Sequence, residues 1–335
     1  VRRFLRAGDE QWPELIGDAD PWVAWAATRC LAAQQEDDGD PQASLRTIET
    51  LLDRLRRTDL AGIHLLELHL HRLQVLMSLG RYNQVIDACS RAQVLLDRVL
   101  PSWGEFFRTT LRLEGAYCAV YLDPRPETTD RLLESLEPAD LPGTMRFIAR
   151  SVRGELELTR GNARTAALIQ RVSLRYAGNW RSILGSGSQW ELYILSMCLI
   201  TDVELSPDDA VELDADAVRV RATSLLRDIL SDPAPRQRDI PTIMAFVAAV
   251  GLSVVAAEDV GSDRRAAGAE LVATALAVGT NQTCRLLSHD YLHSRTEQFD
   301  ARALAQAEER IRPLDRGELV VHAADLAGRL SGEVG

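Results

Sequence analysis

The sequence predicts an all-α protein, an α-solenoid of antiparallel helix pairs with a period of about 40 residues. Apolar residues recur at spacings of three, four and seven between Tyr82 and Val99, which places them on one helix face. Runs that alternate with period two, as a half-buried strand requires, are scarce. Helix breakers at Gly39-Asp40, Gly80-Arg81, Asp123-Pro124 and Gly161-Asn162 follow at intervals of 41, 43 and 38 residues. One helix pair cannot bury its own apolar face, so this period predicts stacked pairs with a continuous core.

The middle of the chain interrupts this pattern. Residues 177–189 are rich in Gly and Ser, and residues 202–216 carry seven acidic residues. We predict N-terminal helical repeats at 1–176, an irregular linker at 177–214 with a capped helix start near Ser206, and C-terminal helical repeats at 215–335. Helices are predicted there at about 215–231, 239–258, 263–279, 284–311 and 316–332.

The composition excludes several classes of function. The chain has 335 residues with 46% apolar and 26% charged, and its 38 basic residues are all arginine. A chain without lysine has no P-loop lysine, no kinase-type ATP lysine and no Schiff-base lysine. A net charge of −11 argues against nucleic acid, because duplex binding depends on neutralising phosphates. Arginine in place of every lysine suggests a GC-rich, bacterial genome.

The cysteines and apolar segments predict a cytoplasmic protein without membrane contact. Five dispersed cysteines without a Cys-x-x-Cys pair indicate reduced thiols. The segment 1–6 is basic but lacks an apolar stretch of the kind that a signal peptide needs. Residues 240–257 are uncharged, yet Pro, Gly and Ser interrupt them and no cationic bias flanks them, so we predict a buried helix.

Two hairpins resemble tetratricopeptide repeats. In residues 79–86 followed by Ala92, the Gly, the aromatic residue and the small residue match the inter-helix turn and second helix of that motif. Residues 160–163 followed by Ala166 and Ala167 match it without the aromatic residue. The Trp-x-x-Leu-Gly pattern of the first helix and the final Pro of the motif are absent.

The N-terminal region resembles the opening repeat of the helical sensor region in MalT-like LuxR-type bacterial regulators. The resemblance rests on residues 18–26 (DADPWVAWA), on Leu31-Ala32, on Gly39-Asp40 and on the apolar positions between Leu45 and Leu52. It implies a sensor region. In that family an ATPase module precedes the repeats and a helix-turn-helix domain often follows. Neither a P-loop nor a recognition helix is present in this sequence.

Histidine patterns offer no convincing metal centre. His289, His293 and Glu297 lie at i, i+4 and i+8, but two turns of one straight helix rise by about 12 Å, too far for one shared ion. The two-residue offset between His69 and His71 points them to different sides, and His64 shares their helix. Surface or structural histidines are therefore predicted.

The acidic and Gly/Ser clusters also have simpler explanations. The acidic turn at 36–40 is similar to the aspartate-rich magnesium motif of helical terpenoid synthases, but the partner motif is missing. The acids at 202–216 lack the glycine and spacing of an EF-hand loop. Residues 185–188 do not form Gly-x-Ser-x-Gly, and no nucleophile–base pair emerges. We therefore predict no catalytic residue, no metal and no cofactor.

The tetratricopeptide resemblance implies a concave groove lined by the first helix of each pair. Transferring the family's groove positions by the turn glycines yields eight candidate ligand-binding residues: Glu67, Gln74, Ser78, Tyr117, Tyr121, Ser151, Glu155 and Thr159. For Tyr117 and Tyr121 the alternative is a place in the core.

The leading hypothesis is a non-enzymatic scaffold that binds a protein, a peptide or a small effector on its concave face. It would serve as the sensor or interaction region of a bacterial transcription or signalling regulator. Two alternatives are an all-helical Mg²⁺-dependent enzyme that uses the acidic clusters and a homo-oligomeric structural scaffold.

Overall fold

The computed structural model shows an all-α protein in the part of the chain that it describes, with fifteen α-helices, one short 3-10 helix and no strand. The described residues are 11–55, 62–99, 104–122, 127, 130, 134, 143–177, 187–205, 214–231, 240–257, 259–280, 282, 285–297 and 299–332. The chain divides into two compact units, Val1–Pro142 and Gly143–Gly335. Each unit is described separately below.

The first unit is a succession of helices, each of which packs against the next along the chain. Its helices are α1 (Trp12–Leu15), α2 (Pro21–Asp37), α3 (Pro41–Leu55), α4 (Gly62–Ser78), α5 (Tyr82–Val99) and α6 (Gly104–Leu122).

Two of these helices begin with the same device. Asp20 precedes Pro21, and its carboxylate accepts a hydrogen bond of 2.9 Å from the Trp22 backbone N–H. Asp40 precedes Pro41 and accepts one of 2.7 Å from the Ala43 N–H. The carboxylate satisfies a backbone donor that has no partner within the helix, and the proline already has a helical φ.

Three helices end with the same turn. The φ angles of Gly39, Gly80 and Gly161 are 82°, 66° and 80°, a region that favours glycine. In each turn the glycine N–H donates to the carbonyl three residues back, and the next N–H donates to the carbonyl five residues back. This is the Schellman motif, which reverses the chain and starts the next helix within three residues. The predicted break at Asp123-Pro124 lies outside the described residues.

The main apolar cluster of the first unit combines buried side chains of α3, α4 and α5 with a few from α2 and α6. Leu45, Ile48, Leu51 and Leu55 of α3 are fully buried, and they face Leu68, Leu73 and Leu76 of α4 and Val85, Ala88, Ala92 and Leu96 of α5 within one cluster. The stripe predicted between Tyr82 and Val99 is thus the buried face of α5.

The second unit contains nine described helices. They are α7 (Gly143–Thr159), α8 (Ala163–Ala177), α9 (Gly187–Glu204), α10 (Ala215–Ser231), α11 (Ile240–Ala256), α12 (Ser262–Val278), α13 (His289–Thr296), α14 (Ala301–Ile311) and α15 (Arg316–Gly332).

The segment 177–214, expected to be an irregular linker, contains α9. The seven residues from Ile194 to Ile200 are all buried, so this stretch of α9 is covered on every side and has no amphipathic period. The two compact units meet after Pro142 in the chain, and the predicted domain limits at 176 and 214 stay a prediction. Residues 178–186 and 206–213, with the expected cap near Ser206, lie outside the described residues.

The single helix predicted at 284–311 is wrong. The structure has a 3-10 turn at Arg285–Leu287 and two helices, α13 and α14. The Ser288 hydroxyl accepts from the Tyr291 N–H at 3.4 Å, and the Asp300 carboxylate accepts from the Arg302 N–H at 2.9 Å. Each of these caps starts a new helix, because it replaces the bond that a continuous helix would supply.

Helix α11 lies at the centre of the second unit, which confirms the prediction of a buried helix. Every residue from Ile243 to Val254 is buried, and α9, α10 and α12 pack around them. Gly251 and Gly268 bring α11 and α12 close together, since a Cβ at Gly251 would lie 2.5 Å from the Gly268 carbonyl oxygen. Within the described residues, no helix combines the length and the apolarity needed to cross a bilayer.

Candidate functional site

Helices α2 and α4 of the first unit contact each other through a row of aromatic and charged side chains. The row, termed the α2–α4 face, consists of Trp22, Trp25, Arg29 and Glu36 on α2 and His64, Glu67 and His71 on α4. Their spacings of three, four and seven residues place them on one side of each helix.

The aromatic end of the face is a cluster of three rings. The His64 ring centroid lies 4.2 Å from that of Trp22 and 4.3 Å from that of Trp25, and both contacts are edge-to-face. The two indole centroids are 6.2 Å apart. Trp22 remains 44% exposed, a large apolar surface in contact with water.

An ion pair lies directly beside these rings. Arg29 donates to the Glu67 carboxylate, and the two side chains are 40% and 38% exposed. The Arg29 guanidinium also lies 5.5 Å from the Trp25 ring centroid, within cation–π range. A pair this exposed is screened by water, so its net stabilisation is about 1 kcal/mol or less. Both groups can therefore exchange partners at little cost.

The opposite end of the face is more firmly fixed. The His71 Nε2 lies 2.6 Å from the Glu36 Oε1, and the Ser44 hydroxyl donates to the same oxygen at 2.7 Å. Since Ser44 belongs to α3, one carboxylate connects three helices. Arg72 also pairs with Glu49 of α3, its Nη2 lying 2.8 Å from the carboxylate oxygen. These bonds connect α2, α3 and α4 at the end of the face that lies away from the rings.

The predicted groove residues of the first unit have different environments. Glu67 belongs to the α2–α4 face, and Gln74 is exposed further along α4. Ser78 donates to the Val75 carbonyl of its own helix at 2.8 Å. Tyr117 is only 6% exposed, and the hydroxyl of the half-buried Tyr121 donates to the Tyr117 hydroxyl at 3.0 Å. The Tyr117 side chain is therefore buried within the first unit, as the alternative for this residue expects.

The three groove candidates of the second unit differ in their exposure to solvent. Ser151 and Glu155 are buried, because α8 and α9 both pack on α7. The Glu155 carboxylate accepts a hydrogen bond of 2.9 Å from the Tyr193 hydroxyl of α9. Thr159 is exposed, and its hydroxyl donates to the Leu156 carbonyl at 2.8 Å. A polar residue at a transferred position can thus lie in the interior, as Glu155 does against Tyr193 of another helix.

The described side chains outside the α2–α4 face form neither a metal centre nor a ligand pocket with a defined occupant. Among the described side chains, no group of three or more His, Cys, Asp and Glu residues could hold a metal ion. A shallow depression of about 560 Å³ runs along α10 between Asp216 and Asp228. All of its described lining comes from that one helix, so it defines no ligand.

Sequence reasoning missed most of the α2–α4 face. The sequence singles out Trp22 and Trp25 only as part of the segment that carries the family resemblance. It predicts that His64 and His71 are surface or structural residues. The available signal was the seven-residue spacing of Trp22, Arg29 and Glu36, which indicates one continuous helix face.

Comparison with known proteins supplies no further constraint. The chain matches no protein-family model, and no curated protein or solved structure is detectably similar to it.

Proposed function

We propose that this chain is a non-enzymatic helical-repeat scaffold of the tetratricopeptide type whose α2–α4 face binds an extended peptide segment of a partner protein. In this role it acts as the sensor or interaction region of a bacterial transcription or signalling regulator. The observation that carries the proposal is the exposed Trp22 ring beside the half-exposed pair of Arg29 and Glu67.

The repeat architecture is supported by the shared turn. The Schellman turns at Gly39, Gly80 and Gly161 have the same two hydrogen bonds, and the first two are 41 residues apart. Identical turns at such an interval are what a repeated helical hairpin produces. In a stack of hairpins, the first helices form one continuous surface, and α2 and α4 are such first helices.

A peptide suits the chemistry of this surface. Trp and Arg are enriched among residues that dominate binding energy, because each combines apolar area with a polar group. The Trp22 ring offers a flat surface for an apolar side chain. Arg29 and Glu67 offer a donor and an acceptor within reach of a peptide backbone, and each is already partly desolvated by its neighbours.

The acidic turn at 36–40 favours this scaffold over a magnesium enzyme. Glu36 is occupied by His71 and Ser44, and Asp40 caps α3. Oxygens that already accept hydrogen bonds within the fold would have to lose them before they could coordinate a hard cation.

The test is selection of peptides from a random displayed library on the intact protein. Peptides that bind the wild-type chain are then measured by fluorescence anisotropy against Trp22→Ser and Arg29→Ala variants. Val94→Ser is the matched control, since Val94 of α5 is an apolar residue of the same unit and is 56% exposed. We expect at least tenfold weaker binding for the two α2 variants and no change for the control.

Two results would contradict the proposal. The first is that no peptide is enriched over a library panned on an unrelated acidic protein. The second is that enriched peptides bind Trp22→Ser and Arg29→Ala as tightly as the wild type.

A further inference from the structure

Two histidines face each other on the short helix α13 of the second unit. His289 and His293 lie one turn apart, and their ring centroids are separated by 4.5 Å with an interplanar angle of 72°. His293 is exposed and His289 is half-buried. Side chains at i and i+4 project from the same side of a helix, so both imidazoles border the same volume of solvent.

This pair differs from the histidines that contact carboxylates. His64 lies 3.8 Å from Glu67, and His71 and His322 each lie 2.6 Å from a glutamate oxygen. In contrast, neither ring of the α13 pair has a hydrogen bond or an ion pair with any described residue. Their ring nitrogens therefore have lone pairs that the described part of the fold does not use.

The helix that carries the pair is held firmly on its other side. Leu292 is fully buried, and both Tyr291 and Arg295 donate to the Glu204 carboxylate of α9. Tyr291 and Arg295 lie roughly opposite the histidines around a helix of 3.6 residues per turn, and Leu292 lies on the flank between the two sides. The backbone positions of His289 and His293 are thus set before any ligand arrives.

We propose that His289 and His293 form a binding site for one divalent transition-metal ion, Cu²⁺, Ni²⁺ or Zn²⁺, with water as the remaining ligands. A metal–nitrogen bond of about 2.0–2.1 Å places the metal about 3.2 Å from each ring centroid. Two such rings at a ligand angle of about 90–110° have centroids about 4.5–5.2 Å apart. The observed 4.5 Å falls at the lower end of this range.

The site has two protein ligands. Glu297 follows the last residue of α13 as its C-cap, and two turns of helix separate it from His289 by about 12 Å. No third His, Cys, Asp or Glu among the described residues completes a closed site. Imidazole nitrogens suit copper, nickel and zinc, and Cu²⁺ binds most tightly because affinity follows the Irving–Williams order.

The experiment is calorimetric titration of the full, tag-free chain with CuCl₂, NiCl₂ and ZnCl₂, combined with electron paramagnetic resonance of the Cu²⁺ form. His289→Ala and His293→Ala each remove one ligand. Ser294→Ala is the matched control, because Ser294 is an exposed residue of the same helix. Circular dichroism of each variant confirms that helix content is kept.

We expect one Cu²⁺ ion per chain, coupling to two nitrogen nuclei in the resonance spectrum, and at least tenfold weaker binding in either histidine variant. Ser294→Ala should bind as the wild type does. The assignment is overturned if the wild type shows no saturable Cu²⁺ binding, or if the double histidine variant binds as tightly as the wild type. Equal loss of affinity in Glu297→Gln would overturn the two-ligand geometry.

Discussion

Glu270 provides the sharpest test of the packing in the second unit. This α12 carboxylate is 8% exposed, and it pairs with Arg310 of α14 at 2.5 Å and with His322 of α15 at 2.6 Å. Its two partners are far more accessible, with 49% of the Arg310 side chain and 25% of the His322 side chain exposed. Of the three side chains, only that of Glu270 is therefore buried.

This asymmetry predicts that removal of a partner costs more than removal of the acid. Arg310→Ala leaves the buried carboxylate with one partner, and we expect the free energy of unfolding to fall by about 2 kcal/mol. A hydrogen bond to a charged group contributes about 1.5–3 kcal/mol, and water screens the exposed guanidinium, which lowers that contribution. Glu270→Leu fills the same space without a charge. This substitution should lower the free energy of unfolding by less than about 1 kcal/mol, because Arg310 and His322 can then form hydrogen bonds with water.

The assay is amide hydrogen exchange followed by mass spectrometry on peptides from α12, α14 and α15 in the intact chain. Exchange reports local opening, so it does not require the whole chain to unfold in one step. A loss of 2 kcal/mol corresponds to about 30-fold faster exchange of protected amides. Arg302→Ala is the control, since Arg302 is an exposed arginine of the same helix α14.

The reasoning is refuted if Glu270→Leu accelerates exchange more than Arg310→Ala does. It is also refuted if Arg310→Ala accelerates exchange by the same factor in the Glu270→Leu variant as in the wild type. In that case the arginine would stabilise α14 through contacts other than the buried carboxylate.

Three further substitutions test the close packing, the turns and the titration behaviour. Gly251→Ala should lower the melting temperature of the second unit by several degrees, because its new Cβ would lie 2.5 Å from the backbone oxygen of Gly268. Gly261 is the control. No atom lies within 4 Å of a Cβ added there, so Gly261→Ala should change the melting temperature little. Gly161→Ala should lower the free energy of unfolding in urea by about 1 kcal/mol, because the φ of this residue is +80°. Gly161→Asn should lower it by less, since asparagine adopts a positive φ more readily. An alanine variant as stable as the wild type would contradict the turn geometry. Partial burial raises the pKa of the Glu114 carboxyl from 4.5 to about 7, so the folded state disfavours the ionised form and stability should fall as pH rises from about 4.5 to about 7. Glu114→Gln should flatten this dependence in urea titrations, and an unchanged slope would count against a raised pKa of this carboxyl.

The helices that could be predicted from the sequence are those with a single buried face. The stripe of α5 between Tyr82 and Val99 shows its period because one side meets the core and the other meets water. The turn glycines at 39, 80 and 161 are also visible, because few other residues adopt a positive φ at low cost.

Helices that are buried on all sides are difficult to predict from the sequence. α9 was expected to be part of a linker, because burial of every residue from Ile194 to Ile200 leaves no polar face to mark the period. The division of 284–311 into α13 and α14 likewise depends on the Ser288 and Asp300 caps, which compete with an otherwise acceptable helix.

What the sequence by itself determined is therefore local: helical periodicity, turn positions, an all-α class, and the absence of any chemistry that needs lysine. Only the tertiary structure decided which polar residues meet. It buried Glu155 beneath Tyr193, placed Arg29 beside Glu67, and enclosed Glu270 between Arg310 and His322. These pairs are separated by 38 or more residues along the chain, and helix propensity acts only over a few turns. Their proximity comes from the way the helices stack, which no local pattern encodes.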